Sequence, residues 1–197
     1  MAKKKRKKEK TVFVVLEGKR EKYFIDHLVE LFDPQKTVKL KFHPDFGGSS
    51  DAILDRALKN CFYDKVFVLF DEDTALSKDR IEILKNCWHT DIPSNTQDRN
   101  LYKFNLANKN PIVIVLNPLS IEGILIQLFD KSLPAFKEPL TSKENLEYNK
   151  RIIKNSVSGI FQNMNDSDFY RANLTKEIVL RKIEDIPELR LLLAIFE

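Results

Sequence analysis

Four acidic positions stand just past runs of apolar, β-branched residues. Glu17 follows Val12-Phe13-Val14-Val15-Leu16, and Asp71 and Asp73 follow Val66-Phe67-Val68-Leu69-Phe70. Glu122 lies a few residues beyond Ile112-Val113-Ile114-Val115 and the pair Asn117-Pro118. In extended backbone, alternate side chains point the same way, so Asp71 and Asp73 can face one ion while Glu72 points elsewhere. Clustered carboxylates repel and need a cation to stay ionised. Mg²⁺ suits them, being a hard ion that takes oxygen ligands and keeps room for water and phosphate; Mn²⁺ accepts the same set. The natural partner of such a site is a phosphodiester or a nucleotide. Read alone, an Asp-x-Asp also serves as a solvated turn or a helix N-cap, but a strand-ending Glu-Gly upstream at residues 17–18 strengthens the ion reading.

The elements that must position these acids are legible as periodicity. The three apolar runs are too short for helices and read as strands buried on both faces. After the first, Tyr23, Phe24, His27, Leu28, Leu31 and Phe32 form one helical face, which Asp33-Pro34 ends. Val38 to Phe42 alternates and suits a strand near an edge. Ser50 is the expected N-cap of a helix carrying Ile53, Leu54, Ala57 and Leu58. A helix is expected at 79–87, a polar insertion or mobile loop over 93–110, and an apolar helix from Ser120 to Phe129. Residues 142–197 contain no convincing strand and predict three or four helices, with a break at 163–167.

Strand and helix in alternation predict an α/β fold: a Rossmann-like, mostly parallel four-stranded sheet flanked by helices, with a C-terminal helical appendage. The expected divisions are a basic arm (1–10), the α/β domain (11–135) and the appendage (136–197). In such sheets ligands sit beyond the carboxyl ends of the strands, which is where the acids fall.

A chain of 197 residues with 43% hydrophobic content supports one domain with a small addition. Its net charge of +4 is unevenly placed. Lys3, Lys4, Lys5, Arg6, Lys7, Lys8 and Lys10 against Glu9 give the first ten residues +6 and leave the rest at −2. Such an arm is expected to be disordered, either as a solubilising tail or as a contact for nucleic-acid phosphates. The charged start and the lack of an apolar stretch near the roughly 18 residues of a membrane span predict a cytoplasmic protein without membrane contact. Cys61 and Cys87 form no Cys-x-x-Cys pair, and His27, His43 and His89 are scattered, so no Cys/His cluster supplies zinc spacing. No Gly-x-Gly-x-x-Gly or P-loop is present. A phosphatase of the Asp-x-Asp-x-Thr/Val type is disfavoured, because Ala75 holds the last position and the motif is not on the first strand.

Val14-Val15-Leu16-Glu17-Gly18-Lys19-Arg20-Glu21 resembles the first motif of Toprim domains, and Leu69-Phe70-Asp71-Glu72-Asp73 resembles the second. Among these, the chain is most similar to the RloB-like and OLD-like Toprim proteins of bacterial phage-defence loci. Tyr23 and Phe24 on the first helix and Leu116-Asn117-Pro118-Leu119-Ser120-Ile121-Glu122 carry that likeness, which covers about residues 11–130. The resemblance implies that Asp71 and Asp73 hold Mg²⁺, with Glu17 as a second-metal ligand or general acid/base. Glu21 and Glu122 are the further candidate ligands, although each is also a plausible first-turn helix acid. Lys19 and Arg20 would neutralise substrate phosphate, or simply begin a solvated helix. The implied activity is metal-dependent hydrolysis of DNA or RNA, tRNA included, in phage defence. Lacking a Walker motif, the chain would take an ATPase from a partner; the alternative is a catalytically silent module that binds nucleic acid or such a partner. The apolar segment Leu189 to Phe196 is open to packing on its own domain or in a homo-oligomer.

Overall fold

A computed structural model describes residues 10–60, 62–71, 101–103, 112–116, 118–139, 142–161 and 164–196. The expectations for the basic arm over residues 1–9, for Asp73 and Asn117, and for a helix at 79–87 lie outside the described residues.

The β-branched run Lys10–Val15 forms β1, followed by helix α1 (Lys19–Phe32), strand β2 (Val38–Phe42), helix α2 (Ser50–Lys59) and strand β3 (Lys65–Asp71). Strands β4 (Leu101–Lys103) and β5 (Ile112–Leu116) complete the sheet, and helix α3 (Ile121–Leu128) follows. The chain continues as α4 (Lys143–Phe161), α5 (Asp166–Asn173), α6 (Lys176–Lys182), α7 (Pro187–Leu193) and a short 3₁₀ turn at Ala194–Phe196.

The sheet order is β2-β1-β3-β5-β4. The first four of these strands are parallel, as expected, and β2 is at an edge. The addition is β4, which pairs antiparallel with β5 at the other edge. This strand falls inside the segment expected to be a loop. Three residues hold too little pattern to announce a strand, and here the pairing with Ile112 to Ile114 defines it.

Lys10 opens β1 instead of closing the arm, with its N–H bonded to the Thr37 carbonyl at 3.1 Å. Ser50 is already helical, and the Ala52 N–H is capped by Ser49 Oγ at 3.4 Å.

The two faces of the sheet are covered unequally. Phe13, Val15, Val66, Val68 and Phe70 pack with Ile53, Leu54 and Ala57 of α2 in the smaller core. The larger core holds Val12, Val14, Phe67 and Leu69 with α1, α3 and the buried positions of α4 to α7, such as Ile153, Phe161, Tyr170 and Leu192. The C-terminal helices therefore share one continuous hydrophobic core with the α/β part. The change of style near residue 136 marks a change of secondary structure and not a second core. Each large side chain buried there contributes roughly 1.5–3 kcal/mol.

Candidate functional site

The parallel register brings Glu17 and Asp71 together. β1 and β3 are neighbours, with Val15 opposite Val68, so their carboxyl ends emerge side by side. Glu17 Oε1 accepts a hydrogen bond from the Asp71 backbone N–H at 3.1 Å, joining the two ends directly.

Gly18 is the N-cap of α1, and its backbone is extended (φ −143°). A Cβ there would stand 2.6 Å from Glu21 Oε2. The glycine after Glu17 thus leaves space for the Glu21 carboxylate to lie over the start of the helix. Glu21 is only 5% exposed, and its Oε2 is buried without a hydrogen-bond partner. An exposed first-turn acid is therefore ruled out for this residue. Burial, reinforced by the charges of Glu122 and Glu17, pushes its pKa up to about 7. Asp71 is pushed up to about 9 by burial and by Glu21, Glu17 and Glu122, with Lys150 of α4 opposing.

The fourth acid arrives by a tight turn. Leu119 takes a left-handed φ of 63°, and the Ser120 N–H bonds the Pro118 carbonyl at 2.7 Å. Strained backbone of this kind persists only where its surroundings hold it. Gly123 makes the turn feasible, since a Cβ at that position would stand 2.1 Å from the Pro118 carbonyl oxygen. Glu122 then meets Ser120, whose Oγ donates to Oε2 at 2.6 Å, and Arg20, whose Nη1 donates to Oε1 at 2.7 Å.

Arg20 is the hub on the rim. Its Nε also faces both oxygens of Asp166 at 3.3 Å, and its guanidinium lies 5.1 Å from the Phe161 ring centre. Arg20, expected to meet substrate phosphate, ties α1 to α3 and to the C-terminal α5 in this structure. Glu122 is correspondingly engaged with a cation of the chain itself. Among the described residues, no group of three or more Asp, Glu, His or Cys side chains has metal-holding geometry as it stands.

The structure therefore brings together Glu17, Glu21, Asp71 and Glu122, with Arg20 alongside. Lys19 starts α1, and Lys3, Lys4, Lys5, Arg6, Lys7 and Lys8 lie outside the described residues. Three neighbours of the cluster come from the C-terminal helices and were not anticipated: Lys150, Asp166 and Tyr170. The Tyr170 ring is fully buried, its hydroxyl has no hydrogen-bond partner, and burial together with Asp166 raises its pKa. No motif marks these three residues, because packing of distant helices recruits them.

A cavity of about 400 Å³ lies between α1 and α5, lined by Tyr23, Asp26, His27, Glu30, Ser167 and Arg171. It includes none of the four clustered acids, and its Glu30 and Arg171 are paired at 3.1 Å.

No family model matches the chain. No curated protein matches it either. The crystal structure of a hypothetical protein from Pyrococcus horikoshii OT3 is similar in fold, with a TM-score of 0.53 and 12% identity. The match covers 95% of this chain and 100% of that one. No helix among the described residues is long and apolar enough to cross a membrane.

Proposed function

We propose that this chain is a divalent-metal-dependent nuclease of the Toprim type, acting on phosphodiester bonds of DNA or RNA. The observation that carries the reading is the junction of β1 and β3. There Glu17 bonds the Asp71 backbone beside the buried, unpartnered carboxylate oxygen of Glu21. Carboxylates placed so that burial and mutual repulsion raise their pKa are what a cation site requires before its ion arrives.

The donor set fits Mg²⁺ by type, since every donor is a hard oxygen. Asp71, Glu17 and Glu21 would hold the ion, with Asp73 as the further donor expected from the motif. A bound Mg²⁺ would polarise a phosphodiester and make a coordinated water more acidic. The chain's own residues do the rest. Glu17 fixes the ends of β1 and β3 at one spacing. Glu21, whose pKa burial raises to about 7, would give up its proton to a bound cation, so its Oε2 would serve as a ligand from neutral pH upward. Arg20 presents a guanidinium at the rim, where its fork can meet a phosphate once it exchanges Glu122 or Asp166 for substrate.

A catalytically silent module that works with an ATPase partner is the second reading. It is favoured by the same Arg20, which already neutralises part of the acidic cluster. One experiment separates the two. Purified protein is incubated with labelled DNA, total RNA and tRNA in Mg²⁺, Mn²⁺ or EDTA, beside Asp71→Asn and Asp73→Asn variants. Cleavage that needs metal and falls to background in both variants is expected. No cleavage of any substrate with either metal would sink the nuclease reading and leave the binding module.

A further inference from the structure

We infer that the α2-side face of the edge strand β2 is a docking surface for single-stranded nucleic acid, separate from the acidic cluster. The inference deepens the proposed nucleic-acid reading and rests on it only for the nature of the polyanion.

Three observations carry it. First, α2 covers β1 and β3 but leaves β2 open. In the parallel register Lys39 and Lys41 stand opposite Thr11 and Phe13, on the face that α2 would otherwise cover, and both are exposed. Second, an aromatic stack runs out from the core beside them. Phe13 stacks on Tyr63 with rings 4.9 Å apart and 1° between planes. Phe62 lies against Tyr63 at 4.4 Å and is 67% exposed. Lys41 Nζ stands 5.1 Å from the Tyr63 ring centre, and His43 meets Phe13 edge-on at 6.1 Å. An exposed ring backed by a half-buried one that stacks on the core, with an ammonium group alongside, is the arrangement that stacks a base and pairs its phosphates.

Third, β1 begins at this place, and the sequence just before it is the chain's most basic. The Thr11 N–H donates to Asp64 Oδ2 at 2.9 Å, which ties the start of β1 to the loop carrying Phe62 and Tyr63. The seven cations of the first ten residues lie immediately before Thr11 in sequence. The same hydrogen bond occupies one acid of the patch. Asp45 stands beyond His43, with its carboxylate 3.9 Å from Nδ1. Charge and ring geometry together favour a single strand over a protein partner, which would leave the two lysines unmatched unless it were acidic.

The surface is remote from the acidic cluster. Lys41 is level with Val66 through Phe13, five residues before Asp71, a separation of roughly 15–20 Å along the strand.

The test is fluorescence anisotropy of labelled 20-nucleotide dT and U homopolymers, with the full chain in EDTA so that nothing is cut. Phe62→Ala is expected to weaken binding by between about fivefold and a hundredfold. Lys39→Ala/Lys41→Ala is expected to make the slope of log K against log salt shallower by about 1.4. Both substitutions are at exposed positions, and circular dichroism should show an unchanged fold. Parent-like affinity and slope in both variants would overturn the inference. So would parent-like oligonucleotide binding together with a parent dimer, seen by sedimentation, that Phe62→Ala converts to monomer; that outcome assigns the patch to a second copy. Binding lost in Phe62→Ala while nothing is cleaved in Mg²⁺ removes the nuclease reading and keeps this surface. Cleavage that depends on Asp71 with binding indifferent to Phe62 does the reverse.

Discussion

The strand ends and the open face of β2 are built on opposite terms. At the strand ends, like charges are forced together in a buried setting. Glu21 is 5% exposed, and Asp71 is held next to Glu17 by a backbone hydrogen bond. On β2 the charges are positive and exposed, and the described contact of Lys41 is with the Tyr63 ring. Buried charge that its own chain only partly neutralises stores a demand for a counter-ion. Exposed charge makes no such demand and acts on what approaches from outside. Substitutions of Gly123 and Arg20, which hold the acids in place, should therefore cost stability, and those on β2 should cost binding with little effect on stability.

The largest effect is expected from Gly123→Ala. The added Cβ would stand 2.1 Å from the Pro118 carbonyl oxygen and 2.8 Å from its Cγ, both parts of a rigid turn. Neither can move aside without shifting Leu119, which is already at positive φ. A destabilisation of at least about 2–3 kcal/mol is expected, read as a lower urea midpoint. A midpoint equal to that of the parent would show that the turn carrying Glu122 is soft, and the contrast drawn above would fail there.

Arg20→Ala should come next. It leaves Glu122 and Asp166 without their shared cation, and it removes the guanidinium from the Phe161 ring. The Arg20 side chain is 30% exposed, so solvent screens part of the loss. About 1–2 kcal/mol is a reasonable expectation. If the guanidinium also meets substrate, Arg20→Lys should recover stability better than it recovers cleavage, because an ammonium lacks the fork. Equal recovery of both would confine Arg20 to a structural role.

Acidity offers a gentler way to probe the same cluster. Glu21 and Asp71 have pKa values raised in the folded chain, to about 7 and about 9. Between the unfolded values near 4 and these folded values, the folded state binds more protons than the unfolded state. Stability from these two groups is therefore fully present only below about pH 4 and is lost progressively as pH rises towards 9. In EDTA the melting temperature should fall between about pH 5.5 and pH 8.5. Mg²⁺ should reverse the trend, since it must displace protons to bind and so binds better at higher pH. Calorimetry in buffers of different ionisation enthalpy would count the protons released. A melting temperature that is flat with pH and indifferent to Mg²⁺ would mean that the acids are satisfied as they stand.

How far this cluster can be read before folding depends on what brings each residue to it. Glu17 and Asp71 follow apolar runs, and parallel pairing then makes neighbours of the strand ends. Glu17-Gly18 has a physical reason in the space that Glu21 needs, and Glu122-Gly123 has one in the Pro118 turn. Those features are local, so they leave a trace in residue type and spacing. Lys150, Asp166 and Tyr170 leave none. They belong to helices whose only visible pattern is amphipathic, and which helix lies over the strand ends is decided by packing. Arg20 shows the same limit: its position beside Glu17 was legible, but its ion pair with Asp166, 146 residues away, was not. The three residues of β4 fail for a different reason, because a strand that short is defined by its partner.

The smallest effect on stability is expected from Lys39→Ala/Lys41→Ala, and it tests the other side of the contrast. Both lysines are exposed, and the described contact of Lys41 is its approach to the Tyr63 ring. An exposed cation–aromatic contact contributes about 0.5–1 kcal/mol at most, and surface changes elsewhere stay within about 0.5 kcal/mol. Lysine and alanine are both weak strand formers, so the exchange changes strand propensity little. The double variant should therefore unfold within about 1 kcal/mol of the parent, while its affinity for a single strand falls and becomes less dependent on salt. A loss of 2 kcal/mol or more would mean that the lysine stems cover apolar surface around Phe13 and Tyr63. The open face of β2 would then be part of the fold's own packing, and the division between a strained acidic end and an independent basic face would have to be redrawn.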